Sequence, residues 1–216
     1  MVEVPPLLEL SGLTWRARER RRWLGPEPLT VDSGHTAVVV AADCAEADAF
    51  TDILIGLEMP DDGRIRLEGK EITMRLPAER GIGLIPAGAG LLPHLTVEQN
   101  LFLTARDDQA SPPFRGVVAY MVNKTDIHGF LRSRPHELAH DERLHVALAR
   151  ALCRRTAVKV MVVEDRTGCD PCHAAVSAAL GVDPNLAVLV VTDDRTRVAS
   201  LASPSRFREI ADAPDP

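Results

Sequence analysis

Short runs of β-branched and apolar residues, separated by segments of helical periodicity, constrain the fold of this chain more than any other feature. Thr36 to Val40, Val158 to Val163 and Leu186 to Thr192 are almost uninterrupted apolar runs, as in strands covered on both faces. Ile82 to Pro86 predicts a further strand of this kind. Buried strands that alternate with helices form a mostly parallel sheet with helices on both faces. The sequence therefore predicts an α/β fold.

A second set of strands has a different pattern. Leu7 to Leu13 and Arg64 to Leu67 alternate between apolar and polar residues, and Leu29 to Val31 is a short strand candidate. Alternation is typical of strands with one face on the core and one in water, as in antiparallel sheets. We therefore expect an N-terminal antiparallel β portion beside the parallel sheet.

Three segments predict helices that pack on the parallel sheet. Ala41 to Gly56 has apolar residues at helical spacing, and Asp43 and Glu46 stand at its start as a helix cap. Asp141 to Leu152 carries leucines on one face, and His173 to Leu180 is rich in alanine. Each of these segments lies between two of the predicted strands.

The remaining helical pattern indicates an inserted subdomain. It runs from Thr96 to Glu137, with a predicted loop at Gln109 to Pro113, and the subdomain is assigned to about residues 96–140. The chain has 216 residues, of which 45% are hydrophobic, and this fits a single domain over residues 1–210. Residues 211–216 are predicted to form a disordered tail.

Charge and hydropathy limit where the protein acts. A membrane span requires about eighteen consecutive apolar residues, and no run in the sequence approaches this length. The segment from Met1 to Leu10 lacks the features of a secretory signal. The net charge of -6 argues against a general nucleic-acid binder. We expect a cytoplasmic protein that meets the inner face of the membrane only through a partner.

Four segments stand in the order and spacing of a known family: Leu54 to Ile65, Arg80 to Asn100, Arg134 to Leu152 and Val190 to Thr192. They resemble, in turn, segments of the ATP-binding-cassette (ABC) ATPases: the residues after the phosphate loop, the surroundings of the Q-loop, the flanks of the signature motif and the strand before the switch histidine. The resemblance covers nearly the whole chain and is strongest to importer subunits. It implies a P-loop NTPase-like fold.

The phosphate loop departs from the family pattern. That loop reads G-x-x-x-x-G-K-[ST], with backbone amides around the phosphates, a lysine on their oxygens and a hydroxyl on Mg²⁺. The resemblance places Ala41 and Glu46 at the two glycines. It places Ala47 at the lysine and Asp48 at the metal-binding hydroxyl residue.

The other motif positions that the resemblance assigns have also changed. Ala87 stands at the Q-loop glutamine, Asp193 at the switch histidine, and the Walker B pair Asp-Glu is inverted. The inverted pair is Glu164 and Asp165. The residues at the signature position are Ala139, His140, Asp141 and Glu142.

A helix N-terminus attracts anions because its first amides are unpaired, but this one begins with acids. Asp43 can cap those amides itself, with Cys44, Glu46 and Asp48 close behind it. Two unit charges about 5 Å apart interact by roughly 3 kcal/mol at an effective dielectric constant of about 20. Three carboxylates with no lysine are therefore expected to repel a triphosphate, and no cofactor is expected.

These departures favour a non-hydrolytic ABC-type subunit that acts through contacts, as a structural or regulatory partner. Its partner would be an intact ABC ATPase subunit, a membrane permease or a second copy of the chain. The permease cleft of the family would be lined by Leu91, Leu92, Leu95 and Phe102, although core packing also explains each of them. The alternative is an ABC transporter ATPase that retains some binding and turnover of ATP with Mg²⁺.

Two further features allow a third interpretation, a free-standing thiol or metal sensor. Cys169 and Cys172 have CxxC spacing, which occurs in redox and zinc sites, although zinc needs about four ligands. The basic run Arg16 to Arg22 lies between Trp15 and Trp23. It could bind phosphates, lipid head groups or an acidic partner, with Trp15 or Trp23 as the family's adenine-stacking aromatic, or it could be a solvated hairpin.

Overall fold

The computed structural model describes residues 5–103, 112–153, 157–167, 172–201 and 207–214. In chain order the strands are β1 (Leu8–Ala17), β2 (Arg20–Trp23), β3 (Leu29–Val31), β4 (Thr36–Val40), β5 (Asp62–Leu67), β6 (Lys70–Glu71), β7 (Ile82–Ile85), β8 (Val160–Asp165), β9 (Ala187–Thr192), β10 (Phe207–Glu209) and β11 (Ala211–Asp212). The α-helices are α1 (Cys44–Ile55), α2 (Val97–Phe102), α3 (Pro112–Lys124), α4 (His140–Leu152), α5 (His173–Val182) and α6 (Val198–Leu201).

The strands form two sheets of different type. One has the order β11-β2-β1-β5-β6, with β3 also on β1, and its pairs are antiparallel. The other has the order β10-β4-β9-β8-β7, and all its neighbours are parallel. The predicted α/β architecture, with an antiparallel portion beside a parallel sheet, is confirmed.

The central parallel strands β4, β8 and β9 are mostly apolar because each of them contributes to two cores. Val39 packs in the core that contains α1 and the antiparallel sheet. Its neighbours Val38 and Val40 point the other way, into the core formed with α4 and α5. Successive side chains of a strand point to opposite faces, so a strand between two apolar layers must be apolar at every position.

Helix α1 lies between the two sheets. Its Phe50 is completely buried, and the ring centroid lies 5.3 Å from that of Trp15 on β1. Trp15 is itself a core residue, so the proposal that it stacks on adenine was wrong. The half-buried Trp23 pairs with Thr14 on the neighbouring strand.

The basic run lies at the turn of the β1–β2 hairpin. Strand β1 continues to Ala17, the chain turns at Arg18 and Glu19 with φ of 47° and 66°, and β2 follows. Arg16 and Arg21 stand directly opposite each other across the hairpin.

The helical segments α2 and α3 share an apolar cluster with α4, in which Val97, Leu101, Val118 and Val122 pack with Val146. The predicted loop at 109–113 lies partly outside the described residues, and its two prolines begin α3. In the described part of the chain, no helix combines the length and apolar character that crossing a membrane requires.

The C-terminal segment differs from its prediction. Strand β10 extends the parallel sheet beside β4, and β11 then pairs with β2 in the antiparallel sheet. Residues 211 and 212 are therefore paired and not disordered, because main-chain hydrogen bonds and an ion pair of 2.6 Å between Arg22 and Asp212 hold them. Prolines and acids after Ile210 suggested disorder, since sequence alone does not show a distant strand edge.

The C-terminus of α1 contacts a buried arginine. Arg80 is completely buried, and its guanidinium donates to the carbonyls of Ile53 at 2.6 Å, Leu54 at 3.1 Å and Arg75 at 3.0 Å. Gly56, the C-cap of α1, has φ of 86°. A Cβ at Gly56 would lie 2.5 Å from the Arg80 Nε atom, so the turn requires glycine for its backbone conformation and for space.

We expect Gly56→Ala to lower the free energy of unfolding by about 2 kcal/mol or more, because a non-glycine residue at this φ is strained and its methyl displaces Arg80. Urea unfolding followed by circular dichroism measures this. Gly181→Ala is the matched control, since Gly181 is helical and nothing lies within 4 Å of its Cβ position. An equal loss in both variants would contradict the explanation.

Candidate functional site

The residues assigned to the ATP motifs meet at one edge of the parallel sheet. Asp43 follows β4, Ala87 follows β7, Glu164 and Asp165 end β8, and Asp193 follows β9. The carboxyl ends of parallel strands lie at the same edge, where ligands bind in open α/β sheets. The contacts are direct, since the amide of Ala87 donates to Glu164 at 3.0 Å.

Helix α1 begins at Cys44, so that only Ala41 to Asp43 separate it from β4. Asp43 is its N-cap and accepts from the Glu46 amide at 2.9 Å, as predicted. Glu46 in turn accepts from the Ala42 amide at 2.5 Å, and the Ala47 amide donates to the Asp43 carbonyl at 3.1 Å. These backbone amides are therefore engaged within the chain.

The position assigned to the phosphate-loop lysine faces inward. Ala47 is completely buried and packs with Phe50 and Val39 in the core beneath α1. Its Cβ therefore points into the apolar core and away from the sheet edge.

Arginines from the hairpin pair with two of the acids. Arg18 lies 2.8 Å from Asp43, and Arg22 lies 2.5 Å from Glu46. Arg22 also reaches Asp212 of β11, so the hairpin joins the start of α1 to the C-terminal strand. The sequence analysis considered only lysine as a compensating cation for these acids, whereas the groups that pair with them are guanidinium groups from a different element.

A third arginine lies between two further acids. The Arg166 Nη2 atom is 2.9 Å from Asp48 Oδ1 and 3.2 Å from Glu164 Oε1. The Nη1 atom donates to the Val191 carbonyl at 2.9 Å. The Arg166 side chain is only 7% exposed, so its orientation is fixed by β8, β9 and α1 together.

Asp165 is held by a fourth arginine. Its carboxylate lies 2.6 Å from Arg197 and accepts from the hydroxyl of Thr192 at 3.2 Å and the amide of Cys172 at 3.3 Å. The Asp165 side chain is 1% exposed. A carboxylate bound in this way stays within the protein and does not face a ligand at the surface.

Asp193 is bound by neutral donors. It accepts from the Thr167 amide at 2.6 Å and from the Cys44 thiol at 2.9 Å. Burial works to raise the pKa of Asp193, but the hydrogen bonds from Cys44 and Thr167 outweigh it and lower the pKa. In the reverse direction, the hydrogen bond to Asp193, followed by burial and the negative charge of that carboxylate, raises the pKa of Cys44.

The four arginines that bind the site acids were not identified as site residues from the sequence. Arg18 and Arg22 lie in the basic run, whose sequence allows binding of phosphates, lipid head groups or an acidic partner. Arg166 directly follows the inverted acid pair, which is the one local signal that could have indicated it. Arg197 lies far from Asp165 along the chain, and only the fold brings the two together.

The signature position lies at the start of α4, with Ala139 as N-cap and His140 as the first helical residue. Glu142 folds back and accepts from the Ala139 amide at 2.7 Å, while Asp141 is exposed. Helix α4 therefore has its own carboxylate at the end that the family resemblance directs toward a second subunit.

The cysteines give the sensor interpretation little support. Burial raises the pKa of Cys172 and of Cys153 to about 12, so both are thiols at neutral pH and weak nucleophiles. Cys169 lies outside the described residues. Among the described residues, no three or more histidines, cysteines or acids are grouped as a metal site.

An acidic groove lies along α1. It has a volume of about 560 Å³, and its lining includes Asp48, Asp52, Glu58 and Asp61, with Arg16 at the β1 side. Burial, and then the charges of Asp48 and Glu58, raise the pKa of Asp52. A larger cavity of about 760 Å³ lies beside Ser33, Lys159 and Asn185 at the opposite ends of the strands, away from the site.

Comparison with known proteins identifies a matching family. A model described as ABC transporter matches residues 49–161. The putrescine transport ATP-binding protein PotG of Escherichia coli is 28% identical over 164 residues, which are 76% of this chain and 43% of that protein. The Fe(3+) ions import ATP-binding protein FbpC of Mesorhizobium japonicum is 31% identical over 206 residues, 91% of this chain and 56% of that protein.

The chain thus spans about half the length of the curated relatives it matches. Solved structures agree in fold. The ADP conformation of an ATP-binding cassette of an ABC transporter has a TM-score of 0.71 at 19% identity, covering 86% of this chain and 80% of that one. CbiO1 of Clostridium perfringens has a TM-score of 0.69 at 18% identity, covering 88% and 79%.

We expect Asp193→Asn to accelerate alkylation of Cys44 by iodoacetamide near pH 8 several-fold. The Asp193 carboxylate stabilises the protonated thiol, so its removal lowers the Cys44 pKa and raises the thiolate fraction. The rate is measured by peptide mass spectrometry across a pH series. Buried Cys153 and Cys172 serve as internal controls that stay slow; an unchanged or slower Cys44 would contradict the assignment.

Proposed function

Because the chain belongs to the ABC transporter family, we propose that it is a non-hydrolytic ATP-binding-cassette subunit that acts through protein contacts. It would be a structural or regulatory partner of an intact ABC ATPase subunit or of a membrane permease. No bound cofactor is needed for this role. The single observation that carries the proposal is that the residues which the resemblance assigns to the ATP and Mg²⁺ contacts bind other groups of the chain itself.

The start of α1 supports the proposal first. A phosphate loop needs the residues G-x-x-x-x-G to remain in loop conformation so that their amides can surround the phosphates. In this chain the helix already includes Cys44, Ala45 and Glu46. The carboxylate of Asp43 stands at the helix N-terminus, where a phosphate would otherwise bind.

The metal position supports it independently. The family holds Mg²⁺ with the hydroxyl residue of the phosphate loop and the Walker B aspartate. The corresponding residues, Asp48 and Glu164, both contact the Arg166 guanidinium. A positive side chain between these two carboxylates does not fit a magnesium ion at the same position, because the two cations would repel each other.

The position of the general base leads to the same conclusion. The second Walker B residue must reach water at the γ-phosphate to support hydrolysis, whereas Asp165 is bound by Arg197, Thr192 and Cys172. At the switch position, Asp193 accepts hydrogen bonds from Thr167 and Cys44. Both side chains therefore have partners within the chain.

A partner role agrees with the apolar surface beside the Q-loop position. Leu92 is 37% exposed on a loop that the buried Asn100 organises, because its side chain bonds the amide and carbonyl of Leu92 and the carbonyls of Leu95 and Thr96. Leu91 and Phe102 pack against the helical cluster. Of the four residues expected to line a permease cleft, Leu92 is thus the best placed for contact.

The relatives suggest the setting of that partner. PotG and FbpC are described as transport and import ATP-binding proteins, and CbiO1 as part of an ABC transporter complex. We therefore propose an importer-type assembly at the inner face of the membrane, with the permease providing membrane contact. A second copy of the chain is the other partner that the family arrangement allows.

Millimolar Mg-ATP is expected to leave the melting temperature of the protein unchanged, because only a ligand of the native state raises it. A site with a Kd a hundredfold below the nucleotide concentration would stabilise the protein by about 2.7 kcal/mol, a shift of several degrees at this size. Differential scanning fluorimetry, with isothermal titration calorimetry as a second method, makes the measurement.

An intact ABC import ATPase measured in parallel is the positive control. A clear nucleotide-dependent rise, or phosphate release above background, would move the assignment to the second candidate, an ABC transporter ATPase with residual activity. That candidate is favoured only by family membership. Cross-linking in the native host, followed by mass spectrometry, then identifies whether the partner is a permease or an ATPase subunit, and Leu92→Asp is expected to weaken the permease contact.

A further inference from the structure

We infer that the Arg166 guanidinium takes the place of a divalent cation, and that Asp48 and Glu164 form a latent hard-cation site which this arginine fills from within. The inference deepens the proposed function, since it identifies what occupies the metal position in a subunit that does not use nucleotide. It can fail on its own, because its test involves no nucleotide.

The groups that contact Arg166 are oxygen atoms of the kind that bind divalent cations. A single nitrogen, Nη2, contacts Oδ1 of Asp48 and Oε1 of Glu164, so one cation can touch both oxygens. The carbonyl of Val191 lies 2.9 Å from the other terminal nitrogen. Carboxylate and carbonyl oxygens are the ligands that magnesium, calcium and manganese prefer.

The rigidity of the site is the second argument. Arg166 follows β8 directly, Glu164 belongs to β8, and Asp48 lies in the first turns of α1. Glu164 is also fixed by the Ala87 amide, and its side chain is 13% exposed. The Glu164 carboxylate is therefore held in place, whereas the Asp48 side chain lies on a separate element, α1, and is 62% exposed.

The charge balance is the third argument. Removal of one partner from a buried ion pair destabilises strongly, because the remaining charge is left in a poorly solvated position. Loss of Arg166 would leave the largely buried Glu164 carboxylate in such a position, with the exposed Asp48 carboxylate close to it. An external divalent cation could then restore the balance, at the point where the chain now supplies its own positive charge.

The experiment compares the wild-type protein with Arg166→Met, which keeps most of the side-chain length and removes the charge. Without metal, the melting temperature of R166M is expected to fall by about 5 °C or more. With Mn²⁺, R166M should recover part of this loss and bind about one more ion per chain than the wild type. Electron paramagnetic resonance of free Mn²⁺ counts the bound ions.

The double variant D48N/R166M is the matched control, since it lacks one of the two carboxylates. Because Asp48 also lines the acidic groove along α1, the reference for this control is D48N alone, and D48N/R166M should bind no more ions than D48N. If R166M destabilises the protein but gains no ion, or if D48N/R166M gains the same ion, the inference is overturned.

Folding provides a second readout that does not depend on metal. The triple variant D48N/E164Q/R166M contains no unpaired charge at this point and is expected to melt above R166M. A role of Arg166 in packing alone would not produce such a rescue, so a triple variant no more stable than R166M also overturns the inference. Nucleotide binding by the wild type would instead contradict the proposed function and leave this comparison intact.

Discussion

Arginine–carboxylate pairs at the carboxyl edge of the parallel sheet are the interaction on which the rest of the structure depends. Acids gather there because the strands β4, β8 and β9 all end at this edge. Close carboxylates with no cation would repel one another. Arg18, Arg22, Arg166 and Arg197 each contact at least one of them, so the chain itself supplies a cation to most of these acids.

These pairs also connect the layers of the molecule. Arg22 joins the antiparallel hairpin to Glu46 at the start of α1 and to Asp212 on the last strand. Arg166 joins β8 and β9 to α1 through Asp48 and the Val191 carbonyl. Exposed ion pairs contribute little to stability, but the Arg166 and Arg22 side chains are largely buried. These two arginines therefore contribute to the connection between the elements.

The same arrangement relates the proposed function to the fold. The Q-loop position is tied to the site through the Ala87 amide and Glu164, and the chain then continues toward the exposed Leu92. In this chain that connection runs through a carboxylate held by Arg166. Under the proposed function, such a subunit would present a contact surface whose supporting site is ordered by the chain's own ion pairs.

The sequence by itself determined the two types of strand, the helices between them and the cap at Asp43, because these follow from local periodicity and from residues three or four positions apart. It also led to the prediction that the motif positions for ATP are altered, since that inference requires only the resemblance. Only the tertiary structure decided which charges meet. Asp48 and Arg166 are 118 positions apart, and Arg22 and Asp212 are 190 apart. The sequence showed a run of acids at the start of α1, and the fold brings guanidinium groups to it from other elements. Such long-range pairing leaves no local pattern in the sequence, because it depends on how the sheets and helices pack.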